Sequence, residues 1–445
     1  MRPASRAKKN IKGREPRISK FALFLLKLLA RLYLFLFFGI ARVVLREEKY
    51  LFDAFKRALA GESRCIIAFR HPNGGEPQLL TWFFLFKLKT LAARAGVKFI
   101  RHPHAVFVYS YEVVRYGGWV ARFIMPDVGA MPIHHSKMDR KGMARIYKAI
   151  TEGPYPVAMA PEGHVTYNVD TVSRLEPGTI RIGFGVAKQL EAKGSPCPVE
   201  ILPLSFHFRF GSWGKMNMEM LLKKIEKVTG FSSKGRKKIP FVERVRQCRQ
   251  YILELNESRF QIKGEDSLPY EERLERVIYA ALETAERMTG VKSEGDFFFR
   301  LYWLRQYYWD RIYLPNIDNF EGMTRIERSV KDLQAGEAWH IGRYLELVDF
   351  CWHFRTPLPT EETNFNKKIE YIQNLWDFAS RTMGGAFSNR VNIIPRKVIV
   401  VAAPVINLSD RLQSYHIDKK ATFDKTMSDL ENAFKNCIEV MNKDH

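Results

Sequence analysis

His71 and Glu76 are the residue types of a base and the acid that orients it, five positions apart in "HPNGGE". A carboxylate that accepts the Nδ1–H of an imidazole leaves Nε2 free to take a proton from a hydroxyl. Between the two, Gly74 and Gly75 tolerate tight backbone angles and can turn amides toward an anion. Glu76 precedes Pro77, so it stands at a helix entrance, where negative charge is favoured. The spacing by itself also fits a solvated surface loop, and the surrounding elements must decide.

Upstream, "CIIAFR" (65–70) is a short run of strand formers that ends at the His71 loop. Such a strand delivers His71 to the carboxyl edge of a sheet, where open α/β folds bind ligands. Downstream, "EPQLLTWFFLFKLKTLAARAG" reads as a helix from Pro77 to Gly96, with Leu80, Phe83, Phe84 and Leu88 on its core face. "KFIRH" and "HAVFVY" read as strands, "WVARFIMPD" is of no clear type, and "GAMPIHH" comes next. A helix over 141–152 leads into "PVAMAPEGH", a strand ending in a polar loop, then the helix "PGTIRIGFGVAKQLEAKG" and the strand "VEILPLSFHF". Strands alternating with helices of this length predict an α/β fold with a mostly parallel sheet flanked by helices.

Four segments in order then carry a resemblance: "HPNGGE" (71–76), "GAMPIHH" (129–135), "APEGHVT" (160–166) and "ILPLS" (201–205). Over about 62–208 the chain resembles the glycerolipid acyltransferase family, which includes glycerol-3-phosphate and lysophosphatidic acid acyltransferases. That family carries an H-x4-D box, a G-x-x-F-I-x-R box, an F-P-E-G-T-R-S-like box and a V-P-V-like strand. The resemblance implies phospholipid biosynthesis, with acyl transfer from acyl-CoA or acyl carrier protein to a lipid hydroxyl and no other cofactor. It makes His71 the general base and Glu76 its orienting acid. Gly129 and His135 match the ends of the second box. Glu162, Gly163 and His164 fall in the third box, which shapes the acceptor site, and Pro203 in the fourth, on the donor side. Amides near Gly74 or Gly163 are the candidate donors to the thioester oxyanion.

Three positions depart from the family pattern. Glu76 replaces an aspartate, and His135 and Val165 stand where the family's phosphate-reading arginines are expected. Valine cannot replace arginine's two-pronged fork. Either Arg140, Lys141, Arg174 or Arg181 reads a phosphate instead, or the acceptor lacks one.

Metal chemistry is the first alternative, because His102, His104, His134, His135, His164 and His207 invite a metal-dependent phospholipid hydrolase. No helical H-x-x-x-H or companion carboxylate motif accompanies them, and no metal is expected. No phosphate-cradling G-x-x-x-x-G-K-[ST] and no G-x-S-x-G elbow is present. A non-catalytic basic protein that binds lipid or nucleic acid is the second alternative.

The net charge of +23 on 445 residues suits either kind of polyanion, and the first twenty residues are strongly basic. The apolar segment beyond them favours membrane over nucleic acid. "FALFLLKLLARLYLFLFFGIARVVL" (21–45) is long enough to cross a bilayer. Lys27 and Arg31 each cost about 2.5–3.5 kcal/mol near its centre, against about 0.3–0.6 gained per Leu or Phe. If the helix continues, Lys20, Lys27, Arg31, Arg42 and Lys49 fall on one narrow stripe, which predicts a helix lying in the interface. No small-x-small cleavage pattern comes after it, so the anchor is expected to persist, with its tail on the cytoplasmic face. Five scattered cysteines without a C-x-x-C pair predict neither disulfides nor a zinc site.

These readings divide the chain into a tail and anchor helix (1–50), an acyltransferase-like core (51–211), a helical insertion (212–395) and a returning strand and helix (396–445). Within the insertion, "FFFRLYWLRQYYWDRIYL" sets Arg300, Arg305 and Arg311 among aromatic rings. A packed helix with snorkelling arginines is expected there, with lipid or nucleic-acid contact as the other reading.

Overall fold

A computed structural model describes residues 5–11, 14–118, 120–134, 139–195, 197–231, 235, 238–263, 267–290 and 294–443. In chain order the elements begin with β1 (Lys8–Lys9), α1 (Lys20–Phe38), β2 (Ile40–Arg46), α2 (Glu48–Ala60), β3 (Arg64–Phe69) and α3 (Glu76–Phe83). A π-helical turn over Phe84–Leu88 joins α3 to α4 (Lys89–Arg94). Then come β4 (Val106–Ser110), α5 (Glu112–Tyr116), α6 (Met125–Asp127), β5 (Met131–Ile133), α7 (Arg140–Thr151), β6 (Val157–Met159), α8 (Gly178–Ala192) and β7 (Val199–Phe210). The helices α9 (Trp213–Val228), α10 (Phe241–Arg259), α11 (Tyr270–Thr289) and α12 (Phe297–Ile312) come next, with β8 (Tyr313–Leu314), α13 (Arg325–His353) and α14 (Phe365–Thr382). The chain closes with β9 (Arg396–Ala402), β10 (Ile406–Asn407), α15 (Leu412–Ile417) and α16 (Lys419–Asn442).

The chain forms two units: residues 13–209 with 395–445, and residues 1–12 with 210–394. The first is α/β. Its sheet runs β2-β9-β7-β3-β6-β4-β5, with β10 antiparallel to β7. The pairs β2–β9, β3–β7, β3–β6, β4–β6 and β4–β5 are all parallel. Parallel strands buried on both faces must be apolar throughout, as the fully buried Cys65–Phe69 run of β3 is. One side of the sheet packs Ile66, Ala68, Val157 and Ile201 against Ile146 of α7, Phe184 of α8 and Phe434 of α16. Burying each valine, isoleucine or phenylalanine among them contributes about 1.5–3 kcal/mol.

Among the described residues the second unit is helical, apart from a two-stranded parallel ladder between β1 and β8. Buried arginine–carboxylate pairs tie its helices together, including Arg244–Glu226 at 2.8 Å and Arg273–Glu257 at 2.6 Å. The arginines of α12 turn inward: Arg300 meets Glu286 at 2.8 Å, Arg305 meets Asp349 at 2.9 Å, and Arg311 lies over Tyr307.

Three sequence expectations change. Residues 98–102 form no strand, because Ile100 is 71% exposed and Pro103 follows two cations that flank only two apolar residues. The "KVIVVAAPVINL" run is two strands, β9 and β10, broken at Pro404. The anchor helix stops at Phe38, because Gly39 adopts φ 64° and caps it. Arg42 therefore lies in β2 and Lys49 in α2, and the five-residue basic stripe does not exist. Arg31 instead donates to the carbonyls of Ile40, at 3.0 Å, and Ala41, and stacks over Trp82. The apolar length survives this change: α1 is long and apolar enough to cross a membrane, and most of it is exposed.

Candidate active site

β3 ends at Phe69, and the next two residues carry the site. Arg70 continues the ladder by donating its backbone N–H to the Leu204 carbonyl of β7 at 3.0 Å. His71 then leaves the sheet at the carboxyl edge, and Glu76 opens α3 with Pro77 in its first turn. The bend between them folds back on itself. His71 Nδ1 lies 2.7 Å from Glu76 Oε2, and the Gly74 amide donates to the same oxygen at 2.8 Å. Gly74 achieves this at φ 95°, an angle that disfavours any side chain. Glu76 is 1% exposed, whereas the His71 ring is 18% exposed, so the imidazole faces outward from a buried carboxylate. With Nδ1 donating to that carboxylate, Nε2 is the nitrogen left to accept a proton.

The third sequence box is built around the same loop. Glu162 is fully buried; one oxygen accepts the His71 backbone N–H at 2.6 Å and the other accepts from Arg70 Nε at 3.3 Å. Arg70 donates as well to the carbonyls of Val169, Thr171 and Asn168, at 2.5, 2.5 and 3.0 Å. The Thr166 amide closes the circuit on the His71 carbonyl at 3.0 Å. The two boxes are thus one structure. Glu162 braces the His71 loop from behind, a role that box order alone did not assign.

The remaining expected residues fall in different settings. Gly163 takes φ 74° in a turn, and its amide donates to Ala160. The Gly74 and Gly163 amides are thus given to Glu76 and Ala160 in this structure. His164 follows in the same loop and is half-buried. Gly129 turns at φ 82° before β5, where an added Cβ would lie 2.7 Å from Val106. His135 lies outside the described residues. Its neighbour His134 stacks on Tyr111 with ring centroids 4.4 Å apart. Arg140 and Lys141 are exposed in the first turn of α7, which Asp139 caps by accepting from Gly142 at 2.8 Å. Arg174 is exposed, and Arg181 on α8 lies beside Phe423. Pro203 is buried in β7 opposite Ala68, with its carbonyl accepting from Ala403.

Sequence reading passed over Asn73 and Arg396. The Arg396 guanidinium donates to Asn73 Oδ1 at 2.9 Å and to the Phe38 carbonyl at 2.6 Å. No signal marks the pair, because these partners lie 323 and 358 positions away in the chain.

Among the described residues no group of three or more His, Cys, Asp or Glu side chains is placed to hold a metal ion. His104 is buried with Nε2 at 2.9 Å from the Val128 carbonyl, and burial pushes its pKa down to about 4. Burial, followed by the charges of Arg70 and Arg209, pushes His207 down to about 3. Both sit in the core as neutral rings.

No family model, curated protein or solved structure matches this chain.

Proposed function

We propose that the protein is a membrane-associated O-acyltransferase, moving a fatty acyl group from an acyl thioester to a lipid hydroxyl. The observation that carries the reading is the His71–Glu76 pair at 2.7 Å, with the carboxylate buried, the ring outward and the loop braced by Glu162. The ordered resemblance of four segments to glycerolipid acyltransferases supplies the substrate class. In the reaction, Nε2 of His71 takes the acceptor's hydroxyl proton as its oxygen bonds to the thioester carbonyl carbon. Glu76 stabilises the imidazolium that forms. Collapse of the tetrahedral intermediate breaks the C–S bond, and the proton passes from Nε2 to the departing thiolate. The acyl donor is acyl-CoA or acyl carrier protein, and no other cofactor enters.

The exposed apolar face of α1 supports the membrane part. Phe21, Phe24, Leu28, Leu32, Phe35 and Leu36 are 43–74% exposed at helical spacing, while Ala22, Ala30 and Leu34 are buried. A helix so divided lies in the interface with its greasy side among acyl chains. The cytoplasmic leaflet, rich in anionic lipid, is the surface that suits a chain of this charge.

The test is incubation of purified protein with labelled acyl-CoA or acyl carrier protein and total membrane lipid, and then identification of the labelled product. A labelled lipid ester absent from the His71→Ala protein supports the reading. Lipid breakdown that chelators abolish and zinc restores would replace it with the hydrolase, and RNA binding without transfer would replace it with the binding protein.

A further inference from the structure

The C-terminal turn of α1 is built into the loop that holds His71 and Glu76. An added Cβ on Gly75 would lie 2.6 Å from the Phe38 ring. Gly75 has φ −99°, so it is glycine for want of space, because the ring of the last α1 residue rests on the loop backbone. The Phe38 carbonyl and the Asn73 side chain are then gripped by one guanidinium, that of Arg396. Arg396 is 2% exposed, lies over the Phe208 ring at 4.6 Å, and takes its own backbone N–H to the Gly39 carbonyl at 2.8 Å. It opens β9, paired with β2, so it is anchored in the sheet and not on a movable loop.

We infer that Arg396 is a positioning residue that couples the seating of α1 on anionic lipid to the geometry of the His71–Glu76 loop. This inference rests on the proposed membrane reading of α1. The groups immediately before Phe38 are the exposed Leu32, Phe35, Leu36 and Phe37. When lipid takes up those side chains it fixes the last turn of α1. Two contacts carry that constraint to the dyad: the Phe38 ring on Gly75, and the Arg396 bridge from the Phe38 carbonyl to Asn73. Both reach the segment whose Gly74 amide is donated to Glu76. Lipid binding therefore tightens the base in its working orientation, and the enzyme is most active where its acceptor lies.

Hydrogen–deuterium exchange of the full-length protein, with and without vesicles of phosphatidylcholine and phosphatidylglycerol, tests this. Peptides covering residues 20–38 report seating, and those covering 69–80 report the dyad loop. In the natural protein, vesicles should slow both, the loop by at least about fivefold, the lower end of ordinary coupling between sites. Phe38→Ala and Asn73→Ala each remove one contact and keep the buried arginine. Both should retain vesicle protection of 20–38 and lose it at 69–80. Arg396→Met, if it folds by circular dichroism, should do the same. Protection of 20–38 with no change at 69–80 in the natural protein overturns the coupling, as does coupling that survives both alanine variants. No protection at 20–38 overturns the membrane reading and the coupling with it. A protein that shows the full pattern but transfers no acyl group keeps the coupling and loses the proposed chemistry.

Discussion

At the scale of single residues, the His71 ring lies against a carboxylate that is 1% exposed. The glycines of "HPNGGE" let the loop bend, and the bend brings His71 Nδ1 within 2.7 Å of Glu76 Oε2. What holds that loop was invisible, because Glu162 and Arg396 reach it across 91 to 323 positions. His71→Ala should lower acyl transfer by about 10²–10⁴-fold with circular dichroism unchanged, since it removes the proposed base and trims a ring packed edge-on against Phe69 without touching the backbone ladder of the sheet. Glu76→Gln should lower kcat more than KM, because the amide can fix the ring without stabilising an imidazolium. A steady-state comparison checks both, and full activity in either variant rejects the assigned role. Glu162→Ala is a different case. It leaves Arg70 buried without its carboxylate, and breaking a buried pair costs about 3–5 kcal/mol. The expected result is a lower midpoint in urea as well as lost activity.

At the scale of elements, α1 was legible as a long apolar helix but not as a finite one. Periodicity carried the basic stripe through to Lys49, whereas Gly39 turns the chain into β2 and Arg31 is spent on two backbone carbonyls. The failure is physical: a hydropathy pattern does not stop where the backbone does, and a cap of one glycine ends a helix that composition would extend. The exposed face gives a direct prediction. Leu32→Asp with Phe35→Asp places two carboxylates where lipid should lie, on residues 55% and 43% exposed. Vesicle sedimentation should fall by at least about tenfold on the transfer cost of those groups, while thermal unfolding in buffer stays within about 0.5 kcal/mol. Equal losses of stability and binding would mean that the face packs on protein.

At the scale of the whole molecule, alternation of strands and helices made the α/β unit legible, and a change of composition near residue 212 marked the helical one. The joining of residues 1–12 to that helical unit was not legible, because a two-residue ladder such as β1–β8 leaves no periodic trace. Desolvation lowers histidine pKa values in both units: His104 to about 4 and His207 to about 3 in the α/β unit, and the half-buried His353 to about 4 in the helical one. Each folded pKa lies below the ordinary value near 6.5, so the unfolded chain binds a proton that the folded one refuses. Stability from these rings is complete above about pH 6.5 and is lost as pH falls toward the folded values, at about 1.4 kcal/mol per pH unit for each ring. Urea unfolding at pH 7.5 and pH 5 should therefore show a marked loss at the lower pH. His207→Gln should be weaker at pH 7.5 yet less sensitive to the change, since the glutamine does not titrate. A pH dependence unaltered in that variant would mean that His207 is protonated in the folded state, and the acid loss would then belong to the carboxylates of the buried ion pairs.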